Sequence, residues 1–220
     1  GLGDVYKRQE LTYTLPDYQT QCGCTDIMMH TMERYFNMSE NMELTDGISE
    51  ALIKTVMKHS KILKEHPDCY ESRAEVMWAS SLSHNDLTGC GTDGGDWACH
   101  QLEHEIGGMF DVAHGAGLAA VWGSWARYVY KARPERFAKF ARNIFNIQET
   151  DDEKAAVAGI EAMENYYRSV GMPTSLCELG IHATEEQIKE MADKCSFYGK
   201  RTVGVMKKIG APEAAEIYRM

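Results

Sequence analysis

Apolar residues recur every three or four positions along most of the chain, which is the spacing of amphipathic helices. In residues 20–37 this pattern is carried by Ile27, Met28, Met32, Tyr35 and Phe36. Beyond residue 20, no segment shows the strict alternation of a half-buried strand; a short alternation occurs only earlier, at Leu11, Tyr13 and Leu15. The pattern therefore predicts an all-α protein of about nine helices.

Capping residues, glycines and prolines divide this pattern into separate helices. Thr45 or Asp46 is a candidate N-cap, Pro134 suits a first turn, and Asp151 is a further N-cap. Thr184 and Gln187 have the spacing of a capping box. Gly107-Gly108 is expected to end a helix. The predicted helices cover about 20–37, 45–65, 67–87, 97–106, 114–133, a segment from 134, 151–170 and 184–198, and a short one opens at Pro212.

Charge and cysteine content narrow the classes of function. The 220-residue chain has a formal net charge of −10, which argues against binding nucleic acid or anionic membranes. No apolar run approaches the ~20 residues of a membrane span. The seven cysteines are odd in number and form no C-x-x-C pair. Reduced thiols in a cytoplasmic protein are therefore expected.

Five residues that commonly bind metals recur at helical spacing. Asp26 and His30 are four residues apart, as are His100 and His104, and His114 follows ten residues later. Side chains at i and i+4 share a helix face, with Cβ atoms about 5–6 Å apart, so one ion can bind both. An ordinary Asp–His pair on a partly exposed helix is the alternative for the first two residues.

Two metal sites can be drawn from these residues. His100-x-x-Glu103-His104 has the H-x-x-E-H pattern of one class of zinc peptidases, in which both histidines bind zinc and the glutamate is the base. The other arrangement is a site of three nitrogens and one oxygen for Fe(II) or Zn(II), with Glu103 an ordinary helix residue. It leaves His104 free to act on substrate. Its ligands are Asp26, His30, His100 and His114. A helical metal-binding domain without enzymatic activity is a third hypothesis.

Longer motifs resemble one family. TDIMMHTMERYF, HNDLTG, GGDWACHQLEHEIGGMFDVAHGAGLAAVW and the terminal EIYRM resemble iron-containing alcohol dehydrogenases, and the butanol-dehydrogenase-like branch in particular. The resemblance covers about residues 10–220 and implies the helical C-terminal domain of a two-domain fold. The glycine-rich motif of the nucleotide-binding domain is absent from this sequence. The resemblance assigns the metal to Asp26, His30, His100 and His114, and it places His104 beside the nicotinamide and substrate, where it assists proton transfer.

The resemblance also implies a reaction. NADPH or NADH would reduce an aldehyde to a primary alcohol, or the reverse, with Fe(2+) or Zn(2+) as a Lewis acid. The expected partners are a small alcohol or aldehyde and a second copy of the full-length protein, with no nucleic acid or membrane. Trp97, one turn before His100, is expected to line the substrate pocket or to pack within its helix. His84 receives no role.

The first nine residues are expected to differ in origin from the rest of the chain. GLGDVYKRQ, residues 1–9, lacks the apolar segment of a signal peptide and resembles translated adaptor sequence. Residues 1–9 are therefore expected to be a non-native leader, with a longer natural protein upstream. Residues 10–220 are expected to form one all-α metal-binding catalytic domain.

Overall fold

Nine α-helices account for most of residues 8–220, the part of the chain that this computed structural model describes. They are α1 (Asp17–Tyr35), α2 (Glu43–Glu65), α3 (Tyr70–His84), α4 (Ala98–Phe110), α5 (His114–Val129), α6 (Pro134–Phe145), α7 (Asp152–Ser169), α8 (Glu185–Cys195) and α9 (Ala211–Arg219). Short 3-10 turns cover Gln9–Thr12, Leu87–Gly89 and Tyr130–Ala132. The all-α prediction is confirmed.

Strand-like pairing in residues 8–220 is limited to one isolated antiparallel bridge between Val203 and Ile209. The alternating stretch near Leu11 does not extend, because a 3-10 turn begins at Gln9. Most of the expected leader falls on residues 1–7, which lie outside the described residues. Among the helices of residues 8–220, none has the length and apolarity needed to cross a bilayer.

Several predicted helix boundaries match the structure. The Asp151 side chain accepts a hydrogen bond from the Lys154 amide at 2.9 Å and caps α7. Thr184 and Gln187 form the predicted capping box at α8. Pro134 begins α6. These signals depend on residues within one turn of each other, so the sequence alone reveals them.

Two boundary predictions were wrong. Helix α4 continues through Gly107 and Gly108 to Phe110 and ends at Asp111, which has a φ of 53°. A glycine inside a helix costs only about 1 kcal/mol, which packing of α4 against α5 and α8 can offset. Helix α2 begins at Glu43, without a side-chain cap, and Asp46 is buried inside it.

Helix α1 is at the centre of the domain and packs against α2, α3 and α5. Its C-terminal end enters an aromatic core, in which Phe36 stacks on Phe137 with ring centroids 4.4 Å apart. Trp125 and Phe140 contact the same Phe36 ring at 5.6 and 5.2 Å. All four side chains are at most 1% exposed. These ring contacts fix the end of α1 against α5, and so fix the position of the residues earlier in both helices.

Glycines let α5 approach its neighbours closely. A Cβ at Gly115 would collide with the Cys22 carbonyl of α1. A Cβ at Gly117 would lie 2.6 Å from Glu103 Oε1 of α4, which is closer than real contacts allow. The first turn of α5 therefore lies directly against α1 and α4, and this brings His114 beside Asp26.

Candidate metal centre

Three helices bring one carboxylate and three imidazoles to a common point. Asp26 and His30 lie in the middle of α1, His100 lies in the first turn of α4, and His114 is the first residue of α5. The Nε2 atoms of His30 and His100 are each 3.6 Å from Asp26 Oδ1, and His114 Nε2 is 3.5 Å from the same oxygen. The three nitrogens thus converge on a single carboxylate oxygen.

These spacings fit a bound divalent ion. Ligands about 2.1 Å from a tetrahedral ion are about 3.4 Å from one another. Asp26 Oδ1 and His100 Nε2 are buried and have no hydrogen-bond partner within residues 8–220. A buried polar atom left unpaired costs about 1–3 kcal/mol, and a cation between these atoms would satisfy both. Three imidazoles with one carboxylate suit Fe(II) or Zn(II).

Two buried glutamates orient two of the histidines. Glu33 of α1 accepts a hydrogen bond from His100 Nδ1 at 3.1 Å, and Glu103 of α4 accepts one from His114 Nδ1. Glu33 is 2% exposed and Glu103 is 1% exposed. A carboxylate at Nδ1 fixes the tautomer that leaves Nε2 unprotonated and free to bind metal, as in many metal sites.

Neither glutamate is among the site residues predicted from the sequence. The expectation that Glu103 is an ordinary helix residue is wrong, because its carboxylate bonds His114. A signal was present, since His30-x-x-Glu33 and His100-x-x-Glu103 repeat the same H-x-x-E spacing. Each glutamate, however, bonds a histidine on another helix, and that pairing depends on how the helices pack.

Burial and neighbouring charges together shift three pKa values in the site. Burial lowers the pKa of His30 to about 4. Burial also opposes protonation of His100, but the neighbouring carboxylates of Asp26 and Glu33 outweigh it and raise the His100 pKa to about 9. Burial would raise the pKa of Asp26, yet the nearby imidazoles, His100 above all, hold it below its usual value. A proton on His100 therefore competes with a metal ion for the same nitrogen.

His104 lies at the exposed edge of this centre. Its ring centroid is 5.7 Å from that of His114 and 6.4 Å from that of His100. Its ligand-type atoms cluster with Glu103 and His114, all within 4.8 Å of one another. Partial burial lowers the His104 pKa below its usual value. A neutral, accessible imidazole beside the site can accept or donate a proton near pH 7.

Trp97 forms a wall of the site. Its ring centroid is 5.4 Å from that of His30 and 5.2 Å from that of His100. Trp97 is the N-cap residue of α4, with a φ of 61°, and its Nε1 donates a hydrogen bond to the Gly94 carbonyl at 2.5 Å. The Arg34 guanidinium lies 4.9 Å from the ring centroid. The indole is therefore held in place from two sides.

Asp96, a residue without a predicted role, fixes the start of α4. Its carboxylate accepts hydrogen bonds from the amides of Val205 and Met206 at 2.8 Å each and from Ala98 at 3.2 Å. Burial, together with the nearby Glu33 charge, raises the Asp96 pKa to about 7. The segment around the 203–209 bridge is thereby attached to the helix that carries His100.

The geometry does not favour the peptidase arrangement. That arrangement needs Glu103 free to activate water, whereas its carboxylate is buried and bonded to His114. The peptidase arrangement also assigns no role to Asp26, His30 and His114, which the structure brings together.

Comparisons with known proteins agree on one family. Residues 20–218 match the model described as "Fe-containing alcohol dehydrogenase family, C-terminal". NADH-dependent butanol dehydrogenase A of Clostridium acetobutylicum is 36% identical over 210 residues, which are 94% of this chain and 53% of that protein. The NADPH-dependent aldehyde reductase YqhD of Escherichia coli is 31% identical over 208 residues, with the same two coverages.

A solved structure gives the same result. The crystal structure of NADH-dependent butanol dehydrogenase A from Thermotoga maritima superposes with a TM-score of 0.90 at 35% identity. The match covers 96% of this chain and 54% of that one. The chain spans about half the length of the curated relatives it matches.

Proposed function

This chain belongs to the Fe-containing alcohol dehydrogenase family, and we propose that it is the metal-binding part of an NAD(P)H-dependent enzyme that interconverts primary alcohols and aldehydes. The observation that carries the proposal is the convergence of three histidine Nε2 atoms on Asp26 Oδ1 at 3.5–3.6 Å. Relatives named as butanol dehydrogenases and as an aldehyde reductase support the reaction class.

Four residues would hold the metal. Asp26, His30, His100 and His114 supply one oxygen and three nitrogens, a donor set suited to Fe(2+) and also to Zn(2+). When bound, the ion would act as a Lewis acid toward the oxygen of the aldehyde or alcohol. Glu33 and Glu103 hold His100 and His114 with their Nε2 lone pairs toward the site.

His104 and Trp97 would act on the substrate. The two-electron chemistry belongs to NADPH or NADH. His104 would contact both nicotinamide and substrate, and a ring nitrogen would pass a proton between the substrate oxygen and solvent. Its lowered pKa leaves the ring neutral at pH 7, ready to accept that proton. Trp97 would shield one side of the substrate from water.

The wider setting is also proposed. A small alcohol or aldehyde fits the family, and a homodimer is proposed for the full-length protein. The net charge of −10 is consistent with a protein that binds no nucleic acid. Seven free cysteines within residues 8–220 suit the reducing cytoplasm. Residues 10–220 would form one catalytic domain, and the nucleotide would depend on residues outside this chain.

Metal analysis of His114→Ala tests the assignment. Because His114 supplies one of three imidazoles, the variant should purify with almost no iron or zinc after dialysis, while the unchanged protein retains about one ion per chain. His182→Ala is the matched control, since His182 is an exposed histidine outside the site. In the full-length protein, His114→Ala should also abolish aldehyde-dependent NADPH or NADH oxidation. Unchanged metal content would refute the assignment.

A further inference from the structure

A fifth imidazole reaches the candidate metal centre from α3. His84, the last residue of that helix, has its Nε2 atom 3.7 Å from Asp26 Oδ2. Its ring centroid is 4.0 Å from that of His30, with the two planes tilted by 38°. The three histidines described above approach Asp26 Oδ1, so His84 faces the other oxygen of the same carboxylate.

Hydrogen bonds define which nitrogen of His84 carries the proton. Nδ1 is 3.0 Å from the Ser80 carbonyl oxygen and 2.7 Å from Ser83 Oγ. The Ser83 hydroxyl donates its own hydrogen to the Ser80 carbonyl at 2.9 Å. Both neighbours of Nδ1 therefore accept, and the proton of the neutral ring lies on Nδ1. Nε2 then directs a lone pair toward Asp26.

Arg34 fixes the turn that carries His84. Its Nη1 donates to the Ser83 carbonyl at 2.6 Å and to the His30 carbonyl at 3.1 Å, and its Nη2 donates to Asp86 at 2.9 Å. The guanidinium joins the end of α3 to the part of α1 that bears His30. The orientation of His84 thus depends on a buried arginine, although the imidazole itself is 40% exposed.

Two acceptors that face each other at 3.7 Å repel unless a positive charge lies between them. Because Nδ1 of His100 and of His114 bonds a glutamate, the Nε2 lone pairs of these two histidines face Asp26 Oδ1 in the same unfavourable way. We propose that His84 is a further ligand of the metal ion, binding it through Nε2 on the Asp26 Oδ2 side. The site then consists of four imidazoles and one carboxylate, which favours borderline ions such as Fe(2+) and Zn(2+) over Mg(2+).

This inference rests on the proposed metal centre, and metal affinity tests it without an activity assay. The 220-residue chain is titrated with Zn(2+) and Co(2+) against a chromophoric chelator. His84→Gln and His84→Leu should each weaken the binding of both ions at least about 10-fold. Even residues that only bond a metal ligand contribute about 10–100-fold to metal affinity. The visible spectrum of the Co(2+) form, which responds to ligand number and geometry, should change in both variants.

Two further variants separate failure of this inference from failure of the proposed centre. His182→Gln, the exposed control, should leave affinity and spectrum unchanged. Asp26→Asn should weaken binding far more than the His84 variants. If Asp26→Asn has no effect, the metal centre itself is refuted. If Asp26→Asn acts but both His84 variants bind Zn(2+) and Co(2+) as tightly as the unchanged chain, with the same Co(2+) spectrum, His84 is not a ligand.

Discussion

Two polar clusters lie beside helix α1 and differ in how their charges are satisfied. Around Asp26, one carboxylate meets several imidazoles, and buried atoms that include Asp26 Oδ1, His30 Nδ1 and His100 Nε2 lack a hydrogen-bond partner in residues 8–220. Around Asp46, both carboxylate oxygens bond Arg136, and Lys139 adds a second cation. Arg136 also donates to the Tyr35 carbonyl at 2.7 Å.

The difference separates a binding site from a structural element. In the Asp46 cluster, the protein supplies every opposite charge, so the cluster joins α2 to α6 and needs nothing further. In the Asp26 cluster, lone pairs point at one another, and the missing positive charge must come from outside. Both clusters place a carboxylate among ionisable partners, so the presence of charged groups alone does not distinguish them. The direction of the lone pairs does.

The largest loss of stability is expected from removing the arginine of the Asp46 cluster. Arg136→Met leaves Asp46, which is 3% exposed, with Lys139 as its remaining cation. Removing one partner of a buried ion pair costs about 3–5 kcal/mol, so urea denaturation should show that loss in the free energy of unfolding. The Kd for Zn(2+) should stay unchanged.

A surface pair is the control for this prediction. Arg168 and Glu178 form an ion pair with side chains 48% and 42% exposed. Arg168→Met should therefore cost about 0–1 kcal/mol. Equal losses in the two variants would show that the Asp46 pair behaves as an exposed one, and the comparison between the clusters would then fail.

A slightly smaller change in the free energy of unfolding is expected when a metal ion binds the Asp26 cluster. Zn(2+) at 100 times its Kd should raise the free energy of unfolding by about 2.7 kcal/mol, because it binds only the folded chain. The same increment should appear in Arg136→Met, since the two clusters share no residue. His100→Ala should lose the increment. Urea denaturation with and without Zn(2+) measures all three, and an increment retained in His100→Ala would contradict the ligand assignment.

Local signals account for what was predictable in the fold. The apolar periodicity of α1 and the caps at Asp151 and Thr184 depend on residues within a few positions of one another. The predicted cap at Asp46 is wrong: this residue bonds Arg136, which lies ninety residues further along the chain. No local pattern links the two residues. The continuation of α4 through Gly107-Gly108 likewise depends on tertiary packing.

The candidate site divides in the same way. The i,i+4 spacing pairs Asp26 with His30, the family motif assigns the full ligand set, and the structure brings Asp26, His30, His100 and His114 together. The glutamates that bond these histidines could not be predicted, because each glutamate and its histidine belong to different helices. The lone pair of His84 becomes evident only from the hydrogen bonds of its other nitrogen.

The buried glutamates behind the histidines should have an intermediate effect. Glu103→Gln and Glu33→Gln keep an oxygen that can accept from Nδ1 but remove the charge that polarises the imidazole. Each should weaken Zn(2+) binding about 10–100-fold, or about 1.4–2.7 kcal/mol. Competition with a chelator measures the Kd. Glu190→Gln, at an exposed position of α8, should have no effect. Unchanged affinity in both glutamate variants would limit them to a packing role.

The smallest effect concerns acid stability and distinguishes the clusters once more. Burial would raise the pKa of Asp46, but hydrogen bonds from Arg136 and Lys139 hold it below the usual value. A carboxyl group with a lowered folded-state pKa stabilises the protein above its unfolded pKa of about 3.9, and this contribution is lost as pH falls through the folded-state value. In EDTA, the free energy of unfolding should therefore fall more steeply below about pH 4 for the unchanged chain than for Arg136→Met, in which Lys139 alone holds the Asp46 pKa down. Arg168→Met should follow the unchanged chain. Parallel curves for the unchanged chain and Arg136→Met would show that Asp46 ionises alike in both, so the arginine could not be the partner that makes this cluster self-sufficient.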